Sequence, residues 1–313
     1  MLLVPESGHS FVNQAQALAK GFTALGHTAI VFRVTKDFPF AKLTDYRPDV
    51  VIAVGAWVQY GALVEGPTNA GFRVVPWLVS DDNVNHFVDE LNRLPVLLTT
   101  SKHCQSIFVR DGITTHIEII PEAVDDVFWK PLMTEETLSF LEFLSIREQG
   151  VLLSPQFDLV KCKADGFPIL FTTGGDVTSK GAREVLEALG RIHTSNPTLP
   201  WIYLLKTWPA AGSLRCSADE LDLADKLGIA DRIRYVVGEY SKEFLRGLMN
   251  LCDIYVAPSR SEGFGLPHVE AQMCGKPVIG LSGNASGETI IDGKTGFIVS
   301  ADVVSHQPKA NID

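Results

Sequence analysis

Cysteine is scarce in this chain. The 313 residues include five, Cys104, Cys162, Cys216, Cys252 and Cys274. They are widely spaced, odd in number and form no C-x-x-C pair, which argues against a disulfide framework and predicts reduced thiols. Long apolar runs are also missing. Charges interrupt every stretch before the roughly 20 residues that a membrane helix needs. MLLVP at the start is too short for a signal peptide and lacks its basic flank. A cytoplasmic protein with no transmembrane segment is the expectation. Positive charge is in deficit, with 27 Lys and Arg against 37 Asp and Glu, a net charge of −10 and an isoelectric point near 5.3. That balance disfavours nucleic acid or an anionic lipid surface as partner. No Asp-x-Asp pair occurs. Asp81-Asp82 and Asp125-Asp126 are adjacent pairs whose side chains diverge on an extended backbone. They read as capping and turn residues, and no metal is expected.

Apolar residues are present in quantity. At 46% of the chain, with mean hydropathy +0.13, they suffice for a core and point to two domains. Strand-like runs alternate with helix-like ones. In the first half the strands are LLVP, AIVFRV, VVIAVG, VVPWLV, PVLLTTS and HIEII. Helices are expected over 11–25, 84–94 and 103–112. The segment from Pro131 to Pro168 breaks the rhythm, with a helix expected over 134–150. The alternation then restarts with ILFTTGG, WIYLLK, RIRYVV, DIYVAPS and PVIGL. This βα order predicts a doubly wound parallel sheet in each half. The expected division is 1–150 and 151–313, two facing Rossmann-like domains with a ligand cleft between them, ligands binding beyond the carboxyl ends of strands.

The most informative stretch is EGFGLPHVE, Glu262 to Glu270. It follows a strand and leads into a helix that Gly275 and Pro277 end. Gly263 and Gly265 permit unusual backbone angles and close approach. Pro267 suits the first helical position, and Glu270 would lie in the first turn, where the helix dipole favours it. Free N–H groups at the helix start can receive phosphate or sugar oxygens. A carboxylate on each side can accept from sugar hydroxyls. The pattern suits a nucleotide-sugar. Either glutamate alone reads more simply as a solvated surface residue. His9, beside Gly8 at a strand end, is a candidate contact, while His103 and His268 read as polar surface residues. Trp57, Trp77, Trp201 and Trp208 read as packing residues, with Trp57 and Tyr60 also candidates to line an acceptor site.

These residues carry a family resemblance. Pro258 to Val299 resembles the E-x7-E region and following strand of the retaining GT-B glycosyltransferases of family 4, the glycosyl transferases group 1. GHTAIVF, RPDVVI, IIPEAVDDVFWKP and TSKGAREVLEAL agree with it. The resemblance implies a hexosyltransferase that moves a sugar from a nucleoside-diphosphate donor to a hydroxyl of a sugar, lipid-linked or small-molecule acceptor. It implies retention of configuration, no metal and no cofactor, the nucleotide-sugar being a substrate. By the same resemblance Glu262 contacts donor-sugar hydroxyls and Glu270 holds the ribose diol. Gly263, Phe264, Gly265 and Leu266 line the sugar and diphosphate, Lys180 binds the diphosphate, and Gly8 belongs to a glycine-rich loop.

Three departures are visible. Gly174 stands where the family often has an arginine, and Lys206 is the nearest candidate to supply that charge. The loop that often carries a histidine reads SDDNVNH, which puts Ser80, Asp81 or Asp82 in that region, with His86 a little later. The family continues past the position of Val299 and sends a helix back across the first domain, so a shortened or differently built end is expected here. Two other readings share the pocket: a sugar-nucleotide epimerase or hydrolase, and a non-catalytic sugar-nucleotide-binding subunit.

Overall fold

The computed structural model describes residues 1–6, 9–35, 38, 40–133, 135, 137, 159–174, 180–207, 220–238 and 240–300. Twelve strands among these form two sheets of six.

The first sheet has the order β2-β1-β3-β4-β5-β6. Its strands are β1 (Leu2–Pro5), β2 (Val31–Val34), β3 (Val51–Ala56), β4 (Val74–Val79), β5 (Leu97–Thr99) and β6 (Ile117–Ile119). Every pairing is parallel. Parallel strands covered on both faces read as continuous apolar runs, and β1 is buried along its whole length. Two helices matter for the site, α1 (His9–Ala24) and α2 (Lys102–Arg110). The core gathers Leu3, Val51, Leu63, Leu78, Leu97 and Phe108.

The second sheet has the order β12-β11-β10-β7-β8-β9, again all parallel. Its strands are β7 (Ile169–Thr173), β8 (Ile202–Thr207), β9 (Ile233–Val237), β10 (Ile254–Ala257), β11 (Val278–Leu281) and β12 (Gly296–Val299). Chain order runs outward from β7 to β9, then restarts at β10 on the other side of β7. The switch point therefore lies between β7 and β10, where ligands bind in open α/β sheets. The helices are α3 (Ala182–Ser195), α4 (Lys242–Leu251) and α5 (Leu266–Met273). Among the described residues no helix is long and apolar enough to cross a membrane.

The chain divides into two compact units. One holds Met1–Pro131 with Ser261–Cys274, the other Leu132–Arg260 with Gly275–Asp313. The division expected at 150/151 falls outside the described residues, as does the helix expected over 134–150. The grouping places the first break at Pro131 and assigns the EGFGLPHVE segment to the first unit.

Local expectations mostly hold for strands and fail at one helix. In place of a helix over 84–94 there is a single turn, Val88–Leu91, entered through Phe87 at φ 62°. The Val84 N–H is captured by Asp111 Oδ2 at 2.7 Å, which holds the preceding residues as a loop. Trp57 and Tyr60 are each 8% exposed and belong to the core. Tyr60 stacks on Phe87 with ring centroids 5.2 Å apart. Both are packing residues, and neither is open to line an acceptor site.

Candidate functional site

β10 delivers the chain to Pro258, and eight residues later α5 begins. Gly265 caps this helix at φ 89°, a left-handed conformation that glycine adopts without steric cost. A Cβ there would stand 2.3 Å from His268 Nδ1. His268 is 2% exposed, so it lies under the loop and not on the surface as expected. Leu266 is the first helical residue and Pro267 the second, one place later than anticipated. Glu270 accordingly sits past the first turn, which holds no acidic residue. The dipole argument for Glu270 falls with that shift.

The loop is held by its main chain. The Gly263 carbonyl accepts from Ser101 Oγ at 2.7 Å, Thr100 Oγ1 at 3.0 Å and Cys104 Sγ at 3.3 Å. Ser101 also caps α2, accepting from the Cys104 N–H at 3.0 Å, a device usually worth about 1 kcal/mol. Ser261 Oγ donates to the Asp81 carbonyl. A Cβ on Gly263 would lie 2.8 Å from Asp81 Oδ1 and 3.3 Å from Cys104 Sγ. A side chain at 263 would have to displace the Asp81 carboxylate. Burial pushes the Cys104 thiol above its ordinary pKa, with its hydrogen bonds to Ser101, Thr100 and Ser80 opposing.

Around this loop the first unit collects four carboxyl groups. Glu122 is pushed up to about 8, first by burial and then by the charges of Asp81, Glu262 and Glu270. Its backbone is fixed on both sides. Trp77 Nε1 donates to the Ile120 carbonyl at 3.1 Å. The buried Gln14 side chain pairs with Ala123, donating to its carbonyl at 3.1 Å and accepting from its N–H at 2.9 Å. Sequence reading quoted Glu122 inside IIPEAVDDVFWKP and gave it no role. The signal available was a carboxylate directly after the last strand of the first sheet. Among the described residues no group of three His, Cys, Asp or Glu side chains is arranged to hold a metal ion.

Glu262, Glu270, Gly263 and Asp81 are therefore brought together within one unit. Lys180 and Lys206 belong to the second unit. Lys180 precedes Gly181, whose φ is 69° and whose Cβ would meet the Pro258 carbonyl oxygen at 2.2 Å. The lysine is thereby held next to the residue that leaves β10. Lys206 is the penultimate residue of β8 and is 5% exposed, a buried lysine and not a surface one. Its carbonyl accepts from the Gly174 N–H at 2.8 Å. Gly8 and the side chain of His9 lie outside the described residues, and the His9 backbone opens α1. Asp125 is a turn residue as expected, its Oδ1 accepting from the Val127 and Phe128 N–H groups at 3.1 Å each.

Residues 161–308 match the model of the glycosyl transferases group 1. A D-inositol 3-phosphate glycosyltransferase of Mycolicibacterium smegmatis is 37% identical over 102 residues, 32% of this chain and 23% of the relative. One from Mycobacterium leprae is 33% identical over 134 residues, 42% of this chain and 31% of the relative. The chain thus covers less than a third of the length of these curated relatives. Two solved structures share the fold over 96% of this chain. A glycosyltransferase from Rickettsia africae has TM-score 0.72 at 18% identity, with 84% of it covered. HepE of Anabaena, solved in complex with UDP and glucose, has TM-score 0.69 at 18% identity, with 85% covered. Residues 161–308, a little under half of the chain, are thus similar to the glycosyl transferases group 1, and the two parallel six-stranded sheets share the fold of these solved glycosyltransferases.

Proposed function

We propose that the protein transfers a hexose from a nucleoside-diphosphate sugar to an acceptor hydroxyl, with retention and without a metal. One observation carries the reading: Glu262, Glu270 and Asp81 gather around a glycine loop that opens a helix beyond the carboxyl end of β10.

Bond breaking separates an anomeric carbon from a phosphate oxygen. Negative charge grows on the departing diphosphate while the sugar ring gains oxocarbenium character. A diphosphate leaves readily, so the protein's task is to aim hydrogen-bond donors at that growing charge. The N–H groups of Gly265 and Leu266 precede the first hydrogen-bonded turn of α5 and feel the positive end of its dipole. They are the proposed diphosphate ligands on the first unit; on the second unit Lys180 is the proposed phosphate-binding cation. Glu262 accepts hydrogen bonds from donor-sugar hydroxyls, and Glu270 from the ribose diol. Retention is assigned to attack on the face the diphosphate vacates, its phosphate oxygen taking the acceptor proton.

Replacing Glu262 by Gln keeps the shape and removes the charge. Turnover is expected to fall about ten- to hundredfold, since charge-assisted hydrogen bonds contribute roughly 1.5–3 kcal/mol. Binding of the bare nucleoside diphosphate should be unchanged. Activity that survives at the wild-type level would overturn the role of Glu262. Donor choice is read from thermal shifts with UDP-glucose, GDP-mannose and ADP-glucose, the true donor raising the melting temperature by mass action. UDP-glucose comes first because HepE was solved with UDP and glucose. A donor-only assay separates transfer from hydrolysis or epimerisation: free sugar or an epimer formed at the transfer rate without acceptor would favour the latter.

Metal independence has its own expected result. Dialysis against EDTA should leave the rate unchanged, and loss of activity restored by magnesium or manganese would refute it.

A further inference from the structure

A buried carbonyl is satisfied by one donor, yet the Gly263 carbonyl receives three side chains. Thr100 and Ser101 are each 2% exposed and Cys104 is fully buried. The excess over-determines one peptide plane. In a trans peptide the N–H points opposite to the C=O, and among the described residues there is no cis bond. Turning the Gly263 carbonyl toward Thr100, Ser101 and Cys104 therefore turns the Phe264 N–H away from them. We infer that Thr100, Ser101 and Cys104 are positioning residues, which aim the Phe264 N–H at the diphosphate of the donor.

This inference rests on the proposed donor site and adds a cause for its geometry. The three residues come from the end of β5 and the first turn of α2, so the aim of the loop is set by a rigid strand–helix corner. Each brace is neutral. The Cys104 proton is shared between the carbonyls of Ser80 at 3.1 Å and Gly263 at 3.3 Å, and a thiol that burial keeps protonated remains a donor. A thiolate there would face two carbonyl oxygens and repel both.

The test uses the full chain with Thr100→Val and Cys104→Ala combined. Val keeps the shape of Thr and removes the hydroxyl, while Ser101 and its helix cap stay intact. Calorimetric titration compares the best-binding nucleotide-sugar of the panel above with its own nucleoside monophosphate, UMP, GMP or AMP. Loss of two donors should weaken the nucleotide-sugar about tenfold and leave the monophosphate unchanged. Thr100→Ser, which keeps the hydroxyl, should bind as the wild type does. Equal weakening of both ligands, or no weakening of either, overturns the positioning role. So does a Thr100→Ser variant as impaired as Thr100→Val. If the wild type binds no member of the panel, the donor reading itself fails, and the inference falls with it.

Discussion

Gly181→Ala is expected to cost about 3 kcal/mol or more of stability. Two separate penalties act at this position. The backbone at φ 69° lies in the left-handed region, which charges a side chain roughly 1–2 kcal/mol. The new methyl would also meet the Pro258 carbonyl oxygen at 2.2 Å and its carbon at 3.0 Å. Those are main-chain atoms at the mouth of β10 and cannot rotate aside. Gly283 supplies the comparison, because its φ is 85° and nothing lies within 4 Å of its Cβ position. Gly283→Ala should lose only the conformational part, about 1 kcal/mol. Denaturant melts of the two variants check the difference. Equal losses would mean that the Gly181–Pro258 contact imposes no constraint. A larger loss at Gly181 should be accompanied by weaker nucleotide binding, since Lys180 is carried by the same turn.

Glu122→Gln should stabilise the protein in mildly alkaline solution and leave it unaffected in acid. The carboxyl of Glu122 titrates at about 8 in the folded chain, against an ordinary value of 4.5. Below about pH 4.5 both folded and unfolded chains hold the proton, and the group contributes no pH dependence. Between 4.5 and about 8 the unfolded chain releases it and the folded chain does not. Stability then falls by about 1.4 kcal/mol per pH unit, and above about 8 the whole loss has been taken. The full span corresponds to roughly 3–5 kcal/mol. An amide at 122 never ionises, so the variant should match the wild type at pH 4.5 and exceed it by that amount at pH 9. Thermal melts across this range read it directly. A wild type whose stability is flat between pH 5 and 8 would show that Glu122 ionises normally. The proton has a second effect: it removes one negative charge from a group of four carboxyls near which an anionic diphosphate is proposed to bind, and donor affinity should decline as pH passes 8.

The sheets were legible because both are parallel and covered on two faces. LLVP, VVIAVG, VVPWLV and WIYLLK could be read as strands from apolar runs alone, since burial on both sides leaves no polar alternation to confuse. The glycine loop was legible for a similar reason, its backbone needs being written in residue type. What could not be read depends on residues far apart in sequence. Glu122 acquires its shifted ionisation from residues 81, 262 and 270, and no local pattern announces that meeting. The helix expected over 84–94 gave way because Asp111, 27 positions downstream, takes the Val84 N–H. Glu270 was placed one residue too early in the helix because α5 begins at Leu266, directly after the left-handed Gly265. Thr100, Ser101 and Cys104 look like an ordinary helix start until the Gly263 carbonyl arrives between them.

The grip on Gly263 is exerted entirely on main-chain atoms, and this separates two kinds of change in the loop. In the proposed donor site, substituting Phe264 or Leu266 would alter what the sugar meets without touching the fastening. Varying those two side chains would then change donor choice while the strand–helix corner beneath keeps the same backbone in register.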